Sequence, residues 1–81
     1  MMHPDSIKTL ILAGLPCEHL TIDGDGHHFE AIVVSAEFAG MNRVQRQQRV
    51  YLTLKDKLDS GELHALSFKT LTPEEWSARN G

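Results

Sequence analysis

Disulfide partners, long apolar runs and an excess of positive charge are all missing from this chain. One cysteine, Cys17, stands among 81 residues, so no disulfide can close within the chain. A small domain without disulfides fits a reducing, cytoplasmic setting. No apolar stretch approaches the roughly 20 residues that span a bilayer, and no membrane association is expected. The segment MMHPDSIKTLILAGLPCEHL carries no basic stretch ahead of its short apolar run, so it reads as a first helix and not as a signal peptide. The net charge of −3 argues against a general electrostatic binder of nucleic acid and leaves only a local basic patch open. Repeats, low-complexity tracts and linkers are absent, which leaves one small domain, 1–81. There is no glycine-rich phosphate loop, nucleophile elbow or suggestive pair of carboxylates, and little room for a deep pocket. An enzyme is not expected.

What is present is globular: 41% apolar and 23% charged residues do not make a disordered composition. Pro4 suits a first helical turn, Ile7, Leu10, Ile11 and Leu15 recur at helical spacing, and Gly14 and Pro16 stop the pattern. A helix over 4–14 follows. His19 to Asp23 alternates as a strand, and Asp23-Gly24-Asp25-Gly26 is hairpin-turn material. His28 to Ser35 is the return strand, whose unbroken Ala31-Ile32-Val33-Val34 suggests a central strand covered on more than one side. Phe38 to Met41 is a connection. Asn42 and Gln45 form a capping pair for a helix over 43–58, with Val44, Gln47, Tyr51, Leu54 and Leu58 on its apolar face. Ser60-Gly61 stops it, Leu63 to Thr70 is the third strand, and Thr72-Pro73-Glu74-Glu75 opens a last helix.

The second strand, the long helix and the third strand form a β-α-β unit. If its strands are neighbours they are parallel, joined by a right-handed crossover. Parallel strands start at one end of the sheet. His28 opens one and His64 the other, so two imidazoles distant in sequence are expected at one edge. On residues alone, each is more simply an exposed or hydrogen-bonding histidine than a metal ligand.

The order of elements, the segment FEAIVVSAEFAGMNRVQRQQRVY and the run HALSFKTLTPEEW resemble the BolA family, in a bacterial branch where a GDG-H-F hairpin and an RV-x-x-QQ-x-VY helix also occur. The resemblance covers about residues 5 to 78, and the C-terminal run is its specific part. It implies an α/β (α+β) class II KH-like fold, α-β-β-α-α-β-α, with helices packed on a three-stranded mixed sheet. It also implies partnership with a monothiol glutaredoxin and its glutathione in a complex holding a bridging [2Fe-2S] cluster. His64 matches one ligand position of the family. A second lies before the second strand, where His28 matches the histidine version and His27 stands where other members carry cysteine; the choice between them stays open. Two histidines make half a metal site, because iron usually takes four ligands, so no cofactor is expected to be held tightly by the chain alone. The chain alone is expected to be a monomer or weak homodimer.

A second constellation is basic. Arg43, Arg46, Arg49 and Lys57 share one polar side of the long helix. A solvated face is the plainer reading, partner docking the next, and contact with DNA phosphates the third. Members of the BolA family are linked to transcriptional regulation, so a DNA-binding regulator is the alternative function. The G-x-x-G clamp of nucleic-acid-binding KH domains is here Gly40-Met41-Asn42-Arg43, with only its first glycine. Trp76 is expected in the core against the sheet, Cys17 as a small buried hydrophobe, and His3 and His19 as ordinary surface residues. Lys69 is a candidate to accept a partner carboxylate, such as that of glutathione.

Overall fold

A computed structural model describes residues 3–24, 28–63 and 65–80. Helix α1, Pro4–Gly14, begins where Pro4 has no N–H to satisfy and where His3 caps the first turn, its Nδ1 accepting from the Asp5 amide at 3.1 Å. Strand β1, His19–Gly24, pairs antiparallel with β2, His28–Val34. The chain then makes a one-turn 3-10 helix, Ala36–Phe38, in the stretch just ahead of the expected connection. This is the short fourth helix that the BolA resemblance implies. Its cap is the fully buried Ser35, whose hydroxyl donates to the Pro16 carbonyl at 2.6 Å and accepts from the Glu37 amide at 3.2 Å.

Helix α2, Arg43–Asp59, starts on a complete capping box, both Asn42–Gln45 bonds being 2.9 Å. It ends at Ser60 and Gly61, whose φ of +81° glycine adopts without strain. Strand β3, Ala65–Leu71, pairs parallel with β2, giving the order β1-β2-β3 with β2 central. Helix α3, Pro73–Asn80, starts on a second box: Thr72 N donates to Glu75 Oε1 at 2.7 Å, and Glu75 N to Thr72 Oγ1 at 3.2 Å.

One sheet face carries Leu20, Phe29, Ala31, Val33 and Phe68, all buried with Ile7, Ile11 and Leu15 of the α1 segment and Val50 and Leu54 of α2. Of the expected α2 stripe, Leu54 is buried, but Val44 and Tyr51 are 64% and 38% exposed. The buried face is rotated toward Arg46 and Lys57, centring on Val50. Long basic side chains tolerate this because their aliphatic stems lie along apolar surface while the charged ends reach carboxylates. Helices α1 and α2 approach closely at Gly14, where a Cβ would come within 2.8 Å of Thr53 Cγ2. No helix among the described residues is long and apolar enough to cross a membrane.

Candidate functional site

His28 is the first residue of β2 and is exposed. Its partner across the parallel ladder is Ala65, the first residue of β3. The two strands therefore start at one end of the sheet, as a crossover of this length dictates. Leu63, 2% exposed, is held just before β3 by its amide bonding to the Lys57 carbonyl at 3.2 Å. A Lys57–Glu62 ion pair of 3.0 Å lies beside it. His64 and His27 lie outside the described residues, as does the hairpin turn at Asp25-Gly26. Among the described residues, no group of three or more His, Cys, Asp or Glu side chains is placed to hold a metal ion.

The basic residues of α2 do not form one open stripe. Arg46, its side chain 15% exposed, donates to the Met41 carbonyl at 3.0 Å, the Thr70 carbonyl at 3.2 Å and Glu75 Oε1 at 2.7 Å. Arg49 donates to the Gly14 carbonyl at 2.8 Å and pairs with Glu37 at 3.1 Å. Lys57 is taken by Glu62. Arg43, exposed at the start of α2, is in ion-pair contact with no carboxylate among the described residues. Three of the four cations thus tie elements of the fold together.

The Glu75 carboxyl is held below its ordinary value, first by the Thr72 amide and then by Arg46. The Cys17 thiol is pushed up by partial burial, with the Glu37 carboxylate adding to the effect and Arg49 opposing it. Its Sγ donates to the Leu15 carbonyl at 3.3 Å, so it sits as a protonated, half-buried thiol against the core. Trp76 does not enter the main core. It packs half-buried on the other sheet face, stacked on His19 with ring centroids 4.4 Å apart at 22°. His19 alternates with the exposed Thr21 and Asp23 of β1, a spacing that puts it on that second face. What α3 lays over the face depends on tertiary docking, which no local pattern encodes.

The sequence profile of one family, described as BolA-like protein, matches residues 13–75. The chain belongs to the BolA family. It is 37% identical over 76 residues to the acid stress protein IbaG of Escherichia coli (strain K12), covering 94% of this chain and 90% of that protein. It is 42% identical over 62 residues to the DNA-binding transcriptional regulator BolA of Haemophilus influenzae, covering 76% of this chain and 59% of that one. A BolA homologue from Coxiella burnetii, 39% identical, superposes with a TM-score of 0.80 over 95% of this chain and 99% of its own. The profile match runs from the end of α1 through Glu75, so His28, the whole sheet and the Arg46–Glu75 pair all fall within the BolA region.

Proposed function

We propose that this BolA protein is a non-enzymatic partner in iron–sulfur cluster biogenesis and iron homeostasis. It shares a [2Fe-2S] cluster with a monothiol glutaredoxin, and His28 and His64 are its ligands. The observation that carries the reading is the β2–β3 register. His28 stands opposite Ala65, strands of a sheet lie about 4.8 Å apart, and His64 is bonded to Ala65. The alternative second ligand is His27, bonded to His28.

Two imidazoles suit half of a cluster site, with the partner's thiolates on the other iron. Replacing thiolates by neutral imidazoles on one iron raises the reduction potential. Each imidazole must lose its proton to bind, so acid competes with the cluster. The test is the visible spectrum of this protein mixed with a monothiol glutaredoxin and reconstituted with iron and sulfide. His64→Ala and His28→Ala are expected to remove the shared-cluster bands and leave those of the glutaredoxin alone. A spectrum of the mixture unchanged by His64→Ala overturns the assignment.

A second reading, DNA-binding regulation, is favoured by the likeness to the Haemophilus regulator. Its best single contact is Arg43. Arg46 and Arg49 are engaged by Glu75 and Glu37, so replacing them perturbs the fold as well as any phosphate contact. A salt-dependent gel shift that Arg43→Ala leaves unchanged excludes the start of α2 as a phosphate-binding surface.

A further inference from the structure

The second face of the sheet is only partly covered. In its row His19–Val34–Leu71, His19 is stacked on Trp76 and Val34 is fully buried. Beyond it lie the rows Thr21–Ile32–Lys69 and Asp23–Glu30–Ser67, with the exposed His28 of the His28–Ala65 pair at the far edge. They floor a groove of about 650 Å³, rimmed by Arg43 from α2 and Arg79 from α3. That volume falls within the range of about 300–1,000 Å³ typical of small-molecule sites.

The charges in this groove are sorted by position. Lys69 and Arg43 stand together at one end and Arg79 adds a third cation to the lining, and no carboxylate among the described residues is within ion-pair distance of any of them. Asp23 and Glu30 gather at the other end, directly opposite each other across the β1–β2 ladder. Like charges in that relation repel, and no cation of the described residues pairs with either. The two rows are two residues apart along the strand, about 7 Å. Ser67 and Thr21 add hydroxyls at the floor, and Ile32 is its apolar part.

This layout disfavours a nucleic-acid strand. A polyphosphate backbone continuing along the groove would meet Asp23 and Glu30, and the open rows offer no aromatic platform for bases. It fits a short ligand with unlike ends. We propose that the open face of the sheet binds a small dipolar molecule. Lys69, Arg43 and Arg79 hold its oxyanion, phosphate or carboxylate. Asp23 and Glu30 accept from its hydroxyl or ammonium donors about 7 Å away. The ligand relieves the carboxylate repulsion and supplies the anion that the three cations lack.

The test is a chemical-shift titration of the ¹⁵N-labelled full chain with ribose 5-phosphate, with glycylglycine, and with inorganic phosphate and ribose as one-ended controls. Saturable shifts at 21–23, 30–32 and 67–69, and at Arg43 and Arg79, are expected with a two-ended probe. Tighter binding of ribose 5-phosphate assigns a phosphate ester, and tighter binding of glycylglycine assigns a peptide-like zwitterion. Lys69→Ala with Arg79→Ala is expected to weaken the two-ended probe at least tenfold. Asp23→Asn with Glu30→Gln is expected to weaken it several-fold while sparing inorganic phosphate. The proposal is overturned if neither probe gives saturable shifts in unaltered protein, if inorganic phosphate binds as tightly as ribose 5-phosphate, or if the Lys69/Arg79 variant binds undiminished. The site does not depend on the cluster reading, and His28→Ala is expected to leave the titration unchanged.

Discussion

Replacing Arg46 by alanine tests whether this side chain is a structural tie or a surface charge. Its guanidinium bridges the chain entering α2 (Met41), the end of β3 (Thr70) and the start of α3 (Glu75), and it lies 6.0 Å from the Phe38 ring centroid. The side chain is 15% exposed, so the two carbonyl bonds are poorly replaced by water. Each is a bond from a charged donor to a shielded acceptor, and about 1–1.5 kcal/mol apiece is a conservative figure for such bonds. The solvent-facing pair with Glu75 adds little to that sum. Arg46→Ala should therefore cost about 2–3 kcal/mol. In a domain of this size that lowers the melting temperature by roughly 10–20 °C. Urea and thermal unfolding followed by far-UV circular dichroism measure it. Arg46→Lys keeps the charge but not the planar fork that serves three acceptors, so it should recover less than half of the loss. The pH dependence has a definite sign. The Glu75 carboxyl titrates lower in the folded chain than in the unfolded one, so its contribution is present above the unfolded value, about 4.3, and is lost as pH falls through the folded value. The gap between parent and Arg46→Ala should narrow in acid. An Arg46→Ala variant within about 0.5 kcal/mol of the parent, the range of ordinary surface substitutions, refutes the reasoning.

Three further outcomes are expected. Ser35→Ala removes a fully buried hydroxyl and with it the part-buried bonds to the Pro16 carbonyl and from the Glu37 amide, and should cost about 1–3 kcal/mol in urea unfolding. Gly14→Ala drives a methyl group into Thr53 Cγ2; it should destabilise α1–α2 packing, and the added Thr53→Ser change, which removes that methyl, should restore most of the loss in a double-mutant cycle. The Cys17 thiol, titrating above its ordinary value, should alkylate more slowly near pH 8 than the same thiol in urea-unfolded chain, with the gap closing as pH rises. Equal rates at pH 8 would contradict the burial argument.

What could be read in the sequence was local or fixed by chain length. The boxes Asn42–Gln45 and Thr72–Glu75 are visible because cap and partner lie three residues apart. The parallel orientation of the neighbouring strands fits a crossover too long for a hairpin, and the register of the fold sets His28 opposite Ala65. The α2 face departs from its hydrophobic pattern, Val44 and Tyr51 being exposed while Val50 and Leu54 are buried. Arg46 sits inward since its three acceptors come from β3, α3 and the chain before α2, and Val44 sits outward, 64% exposed. The His19–Trp76 stack joins two ends of the chain, and neither residue's neighbours in sequence announce the other.

The two functional readings draw on different parts of the molecule, and this makes them separable. The cluster reading uses the start of β2 and β3. The regulator reading uses Arg43, which lies beside Lys69, four residues along the ladder from the His28–Ala65 pair, or about 13 Å. At that distance substitutions are expected to act independently. His28→Ala should change the shared cluster and not a gel shift, and Arg43→Ala the reverse. Loss of both activities from either single change would mean that one surface serves both. The Arg46 variant then becomes informative. It loosens β3 and α3 together at the end of the sheet opposite His28, so it should weaken contacts at Arg43 more than cluster sharing at His28.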